Sequence, residues 1–246
     1  MEYDDFYQFL SSEGQRLVAH VVPIFFVNKE KKIEFQGSSI YCHMGPIKFL
    51  LTAHHVLQEL FDQKLRPLIL TDDDLLNDIP CTQFTFSKDS SLDIAICVLD
   101  SPLKMYAPYN LEGASNFQQS DDFQAILLGF LGKGVKVREG LIKAKYEGYQ
   151  TQNASISEYT RLGVDPEKFC ICEFKKEKVF REKLRSETFP NPNGMSGGPI
   201  FQFPNSNAKN IRLVGMMLRW DTEREKAVIG VRIEEIRKMF SVTRIV

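Results

Sequence analysis

The chain has 246 residues, of which 43% are hydrophobic and 26% charged, and its formal net charge is -1. These values are typical of a globular protein with a sizeable core, and they exclude the basic field that draws a chain to nucleic acid or to an anionic membrane. No apolar run approaches the ~20 residues that span a bilayer. Acids at Glu2, Asp4 and Asp5 precede any apolar run, unlike a secretory signal. We therefore expect a cytoplasmic protein with neither nucleic-acid nor membrane partners.

Short apolar runs rich in β-branched and aromatic residues dominate the chain and predict strands. These runs, in chain order, are 21–27, 32–42, 47–53, 66–71, 93–100, 123–130, 140–150, 168–174, 199–203, 211–218 and 226–233. Clusters of Gly, Pro, Asn and Asp separate them. So many short strands predict an antiparallel sandwich or a pair of barrels rather than alternating βαβ units.

Helical spacing is confined to three short places. They are residues 3–10, 54–63 and 233–240, of which the last fits a closing helix packed on a barrel. The stretch 103–119 is polar, contains Pro and Gly and shows no periodicity. We predict that it links two halves of the chain.

The cysteines number five, an odd count, and most lie in or beside apolar runs. They are Cys42, Cys81, Cys97, Cys170 and Cys172. This pattern favours buried, reduced thiols, and it lacks the CxxC pairs of a zinc site. We expect no metal and no cofactor.

Ser196 lies in the turn "NPNGMSGGPIF" at 191–201, just before an apolar run. Glycine at position 194 can adopt a backbone conformation closed to other residues, so that its N–H and that of Ser196 point to one place. Two such donors make an oxyanion hole for a nucleophilic hydroxyl. The alternative is a glycine-rich turn that contains an incidental serine.

A nucleophilic serine requires a base and a group that orients this base. His54 and His55 follow the apolar run in "FLLTAHHVLQEL", where a strand gives way to a short helix. Asp93 stands at the head of "DIAICVLD", where an acid drawn inside needs a partner such as an imidazole N–H. The alternatives are a surface histidine pair and an exposed or strand-capping aspartate.

The motifs "TAHHV", "DIAICVL" and "GMSGGPIF", in this order, resemble those of the chymotrypsin-like (trypsin-like) serine proteases, most nearly the disulfide-free, Deg-type branch. The resemblance implies an all-β fold of two antiparallel Greek-key barrels, a chymotrypsin-like double barrel, with a short N-terminal helix and a C-terminal helix. It implies His55, Asp93 and Ser196 as the catalytic residues and the N–H groups of Gly194 and Ser196 as the oxyanion hole.

The same resemblance predicts one protease domain over residues 1–246, with a first barrel over 14–105 and a second over 118–246. It implies a cytoplasmic serine endopeptidase that cleaves peptides or proteins through an acyl-enzyme. Three alternatives stay open: a protease-like module that binds a peptide or partner without cutting, an effector protease activated by an unidentified partner protein, and an esterase.

Two departures from the secreted members of the family concern regulation. Val56 stands where those enzymes have a bridged cysteine, and Met195 stands where they have an acid that binds a new N-terminus. The resemblance therefore implies no activation by N-terminal processing.

The primary specificity pocket is the part that the resemblance defines least. Its floor would fall at Pro190, with walls from Leu218, Arg219, Trp220 and Gly230. Arg232 has two alternatives: it points into the pocket and favours acidic or polar side chains, or it is an exposed strand residue.

Overall fold

The structure is a computed structural model that describes residues 13–71, 75–138, 141–174, 192–207, 209–221 and 227–242. The helix predicted at 3–10 lies outside these ranges, whereas residues 13–18 are helical. None of the helices in the described ranges has the length and apolar character that crossing a bilayer requires.

The first half of the chain forms one sheet in which every pairing is antiparallel except that of its shortest strand. Its strands are β1 (Val21–Val27), β2 (Ile33–Met44), β3 (Ile47–Ala53), β4 (Leu68–Leu70), β5 (Leu76–Asp78), β6 (Cys81–Phe86), β7 (Ile94–Leu99) and β8 (Tyr109–Asn110). They follow the order β5-β4-β1-β2-β3-β7-β6, and β8 pairs with β2 in parallel.

The second half forms an antiparallel sheet. Its strands are β9 (Phe123–Arg138), β10 (Leu141–Gln152), β11 (Phe169–Glu173), β12 (Pro199–Pro204), β13 (Arg212–Trp220) and β14 (Ala227–Arg232), in the order β10-β9-β12-β13-β14-β11. Besides the helical residues 13–18, the described ranges contain α1 (His54–Asp62), α2 (Ile156–Leu162) and α3 (Ile233–Val242). The prediction of an all-β fold of two antiparallel barrels with a C-terminal helix is confirmed, since the structure is mostly β with two curled antiparallel half-barrel sheets.

One apolar core runs between the two sheets. Buried residues of the first sheet, such as Ile40 and Leu51, belong to the same cluster as Phe201 and Leu213 of the second. The far end of the β9–β10 hairpin also crosses over, since Ile142 packs in a cluster with Phe25 and Leu70. The halves are therefore packed against each other at two places rather than only joined by a linker.

Each predicted strand that falls in the described ranges is present, but the sequence patterns missed several elements. Strands β5, β6 and β8 and helix α2 were not predicted, and β9 continues beyond the predicted 123–130 to Arg138. The stretch 103–119 is a connection, yet it contains β8 and a turn of 3₁₀-helix at Leu111–Gly113. Strands β5 and β8, with three and two residues, are too short to show a period, which explains why the pattern missed them.

The cysteine prediction is correct for three residues and wrong for two. Cys42, Cys170 and Cys172 are free and buried, and burial raises the pKa of each thiol, to about 12 for Cys170. Cys81 and Cys97, on neighbouring strands β6 and β7, are paired as a disulfide with their Cα atoms 6.0 Å apart. The likeness to a disulfide-free branch is therefore not supported.

Arg237 fastens the closing helix α3 to the connection between the sheets. Its guanidinium donates hydrogen bonds to the backbone carbonyls of Leu111 and Ala114 and reaches that of Glu112. Charged donors to backbone carbonyls contribute more to stability than neutral ones. Arg66, by contrast, forms an ion pair with Asp78 while its side chain remains 82% exposed.

We expect Arg237→Ala to lower the free energy of unfolding by about 1.5–3 kcal/mol, because several carbonyls lose a charged donor at once. The matched control Arg66→Ala should cost less than about 0.5 kcal/mol, because its ion pair is exposed. Urea unfolding of both variants measures the difference. Equal costs would show that Arg237 does not secure the connection.

Candidate active site

His55 is held by Asp93 at two points. Its backbone N–H donates to Asp93 Oδ1 over 2.9 Å, and its Nδ1 lies 2.7 Å from Asp93 Oδ2. A carboxylate is only an acceptor, so this contact places the proton on Nδ1 and leaves Nε2 of the neutral ring as the acceptor. The His55 side chain is 49% exposed. A solvent-accessible imidazole is thus held in one orientation by Asp93.

The two histidines of the doublet have different environments. His54 turns away from the site: its ring packs on Phe86 with centroids 4.4 Å apart, and its Nε2 lies 3.0 Å from Gln58 Oε1. Only its backbone contributes to the site, since the His54 N–H donates to the carbonyl of Asp93. The structure therefore distinguishes His55 as the residue that contacts the carboxylate.

Asp93 reaches His55 from a strained turn. Its φ of 50° lies in the left-handed region, which is uncommon for a residue other than glycine. The 3₁₀ turn Ser90–Leu92 leads into it, and the Asp89 side chain caps that turn by accepting from the N–H and the hydroxyl of Ser91. Lys168, next to β11 of the other half, bonds Asp89 over 2.9 Å. The support of Asp93 thus includes a contact between the halves.

Glycine is required at two positions around Ser196. Gly194 has φ of +97°, and a Cβ there would lie 2.4 Å from Phe35 Cε1. Gly197 has φ of +85°, and its Cβ would lie 2.0 Å from the carbonyl oxygen of Ser38. Neither the backbone angle nor the space accepts a side chain. The glycines therefore allow the Ser196 loop to touch the first half of the chain.

The N–H groups of Gly194 and Ser196 are free of hydrogen bonds to any residue in the described ranges. The carbonyl of Met195 accepts from the Gly198 N–H over 2.8 Å. Since C=O and N–H of one trans peptide point in opposite directions, this bond turns the Ser196 N–H away from the loop interior. The two predicted donors thus have no hydrogen-bond acceptor among the described residues.

The Ser196 hydroxyl donates to the backbone carbonyl of Leu218 over 2.9 Å. Within the described residues it makes no hydrogen bond to His55. The structure therefore brings His55 and Asp93 into direct contact, and it leaves the nucleophile candidate on a different acceptor.

The predicted specificity residues fall partly outside the described ranges, because Pro190 does. Leu218 is buried and Arg219 is exposed. Trp220 donates its indole N–H to Asn193 Oδ1 over 3.3 Å. Gly230 is packed so closely that a Cβ would lie 2.3 Å from Ile200 Cδ1.

Arg232 matches neither predicted alternative, a side chain that points into the specificity pocket or an exposed strand residue. Its Nε donates to the carbonyl of Phe169 over 2.9 Å, and its guanidinium lies over the Phe117 ring, 5.0 Å from the centroid. The side chain is half-buried rather than exposed. The cause is the strand order, since β14 lies beside β11 and its last residue meets the start of that strand. Arg232 is thus engaged by partners other than the Ser196 loop.

Met195 is buried in the core of the second half, 2% exposed, in a cluster with Leu127 and Met217. A Cβ on Gly129 would lie 3.1 Å from it. Met195 thus makes apolar contacts at this position. In the described ranges, no three side chains among His, Cys, Asp and Glu are grouped to hold a metal ion.

The folded chain is similar to several solved protease-domain structures. The MamO protease domain of Magnetospirillum magneticum, in its apo form, has a TM-score of 0.54 and 13% identity, with 91% of this chain and 96% of that one covered. A scabies mite inactivated protease paralogue has a TM-score of 0.56 and 15% identity, with 92% and 96% covered. A protease of M. tuberculosis in its active form has a TM-score of 0.53 and 13% identity, with 93% and 82% covered.

These similarities establish the fold alone, because all three identities are low. The chain has the chymotrypsin-like double-barrel fold. No protein-family model matches the sequence, and neither does any curated protein. One of the similar structures is named as inactivated and another as active, so the fold is compatible with both states.

We expect Gly197→Ala to cost more stability than Gly45→Ala. Both glycines have positive φ, but nothing lies within 4 Å of a Cβ at Gly45. The Gly45 variant therefore carries only the backbone cost, about 1–2 kcal/mol. The Gly197 variant adds overpacking against Ser38, about 1–3 kcal/mol more. Unfolding free energies measure both, and equal costs would contradict the close contact.

The pKa of Asp89 provides a test of the turn that supports Asp93. The Ser91 hydroxyl, then Lys168, lower it from 3.8 to about 2. Because the folded pKa is depressed, the contribution to stability is present above pH 3.8 and is lost as the pH falls towards 2. NMR titration should show the pKa rising in Ser91→Ala and in Lys168→Ala. An unchanged midpoint in both would contradict the contacts.

Proposed function

We propose that the protein is a serine endopeptidase in which Ser196 is the nucleophile, His55 the general base and Asp93 the group that orients it. The observation that carries this proposal is the two-point hold of His55 by Asp93, with Nδ1 and Oδ2 2.7 Å apart. A histidine that is only part of the surface does not require two hydrogen bonds to one carboxylate. General bases require such orientation, because both tautomer and direction must be set before proton transfer.

The reaction follows from the atoms available. Ser196 Oγ bonds to the carbonyl carbon of the substrate while its proton passes to His55 Nε2, and the carbonyl oxygen becomes an oxyanion. The N–H groups of Gly194 and Ser196 donate to that oxyanion. Collapse breaks the C–N bond, and the leaving amine takes the proton from His55. Water then attacks the ester, gives a proton to His55, and the expelled Ser196 oxygen recovers it.

One movement must precede the first step. The Ser196 hydroxyl donates to Leu218 O, so it has to rotate towards His55 before it can lose its proton to the imidazole. Rotation of an exposed or half-buried hydroxyl about one bond is fast. Bound substrate, or a partner protein that reshapes the loop, would favour the rotated state.

The hydroxyl position also supports a second candidate function, a protease-like module that binds a peptide or partner without cutting it. In that case the Ser196–Leu218 hydrogen bond is the resting arrangement and the two free N–H groups bind a carbonyl or a carboxylate. The likeness to a paralogue named as inactivated makes this candidate concrete. The intact His55–Asp93 contact favours the enzyme, because a binding module has no use for an oriented base.

The substrate class and the compartment belong to the proposal as well. Peptides or unfolded proteins in the cytoplasm are the substrates we propose, and simple acyl esters would react by the same chemistry. The side-chain preference is not assigned, because Pro190 lies outside the described ranges and Arg232 is engaged elsewhere.

Cleavage of a peptide library, read by mass spectrometry, tests the proposal. We expect the wild-type chain to cleave peptides, Ser196→Ala and His55→Ala to lose at least about a thousandfold in kcat, and Asp93→Asn to lose about ten-thousandfold. The matched control is His54→Ala, which removes the neighbouring imidazole but no contact with the carboxylate of Asp93. It should stay within about threefold of the wild type.

Two outcomes would contradict the enzyme. One is cleavage that survives in Ser196→Ala, which would identify a contaminant or another nucleophile. The other is equal loss in His54→Ala and His55→Ala, which would show that both act through the fold. Peptide capture without cleavage would favour the binding module.

A further inference from the structure

Ser38, on β2 of the first half, makes three hydrogen bonds to the second half. Its N–H donates to the carbonyl of Ser196 over 2.9 Å. Its hydroxyl donates to the carbonyl of Gly194 over 2.9 Å and accepts from the N–H of Phe130 over 2.9 Å. The residue is fully buried. None of these bonds is needed to pair β2 with its own neighbours in the sheet.

Ser38 is itself fixed by the strand that leads to the base. The hydroxyl of Thr52, the penultimate residue of β3, donates to the Ser38 carbonyl over 2.7 Å. Only Ala53 and His54 separate Thr52 from His55. The buried Ser38 therefore contacts both β3, the strand that precedes His55, and the loop that contains Ser196.

Along the backbone, the Gly194 carbonyl that accepts from Ser38 lies between the Gly194 N–H and the Ser196 N–H. The peptide that joins Gly194 to Met195 separates the Gly194 N–H from the Ser196 N–H. Its N–H, that of Met195, donates to the carbonyl of Pro192. Its carbonyl accepts from the Ser38 hydroxyl. Glycine on one side of this peptide permits wide rotation, so an anchor on its carbonyl limits how far the two donors can diverge.

We propose that Ser38 is a positioning residue that holds the Gly194 carbonyl and thereby keeps the N–H groups of Gly194 and Ser196 aimed at one oxyanion. This rests on the function proposed above. Ser38 does not touch the reacting atoms, so its effect appears in the transition state, where charge develops on the oxygen, and not in substrate binding.

Ser39 provides a matched control one residue away. It is equally buried, and its hydroxyl also donates to a backbone carbonyl over 2.9 Å, that of Val22. That bond stays within the first sheet. Ser38→Ala and Ser39→Ala therefore remove the same group from the same strand, and only the first removes a contact with the Ser196 loop.

The experiment compares kcat and KM of the two variants on a peptide that the wild type cleaves. We expect Ser38→Ala to lower kcat about 10- to 100-fold, less than deletion of an oxyanion donor, with KM within about threefold. Ser39→Ala should keep kcat within about twofold. Equal kcat values for the two variants, or a loss in Ser38→Ala carried by KM, would overturn the proposal.

A second measurement does not depend on turnover. Hydrogen exchange of the hydrogen-bonded amides of Met195, Gly197 and Gly198 should be faster in Ser38→Ala than in the wild type and unchanged in Ser39→Ala. If the wild type cleaves nothing, the proposed function fails while the exchange rates still decide the role of Ser38. If Ser38→Ala does not fold, Ser38→Cys, with a weaker donor of similar shape, replaces it in both measurements. Unchanged exchange would contradict the proposal.

Discussion

The close contact between Gly197 and the carbonyl of Ser38 is the constraint on which the site depends. No Cβ fits there, since it would lie 2.0 Å from that oxygen and 2.3 Å from the Thr52 hydroxyl. Backbone therefore meets backbone, and the loop of Ser196 is held against the strands that precede His55. The backbone hydrogen bond from the Ser38 N–H to the Ser196 carbonyl reinforces this contact between the halves that carry His55 and Ser196.

Two features of the site support the proposed chemistry. On the first half, the carboxylate of Asp93 fixes the tautomer of His55. On the second half, the loop leaves the N–H groups of Gly194 and Ser196 without protein partners in the described ranges. The remaining degree of freedom is the Ser196 hydroxyl, which donates to Leu218 O. In the mechanism we propose, this hydroxyl has to leave Leu218 O and turn towards His55 before it can react.

Much of the fold could be predicted from periodicity. The apolar run at 47–53 coincides with β3 (Ile47–Ala53). The resemblance carried by "TAHHV" and "DIAICVL" predicted His55 and Asp93 as partners, and the two side chains are in contact. The sequence pattern predicts structure well where a strand is buried on both faces or where a residue needs a special backbone angle. It is weak for β8, which has two residues and no period.

The errors concern contacts that depend on strand order. Cys81 and Cys97 are diagonal neighbours because the register of β6 on β7 sets Cys81 opposite Leu99. The position of Arg232 follows from β14 lying beside β11. The local composition of these segments determines neither register. Ser38 was missed for the same reason: "GSSI" is an unremarkable strand sequence, and only the packing of the second half gives its hydroxyl a role.

The most direct test of the central claim is the intact mass of the chain after treatment with a fluorophosphonate, followed by mapping of the modified residue. In the proposed mechanism an oriented base and two N–H donors activate one serine, so we predict a single adduct on Ser196 that is lost in His55→Ala. An unmodified chain, or an adduct on Ser196 that forms equally fast in His55→Ala, would contradict the account.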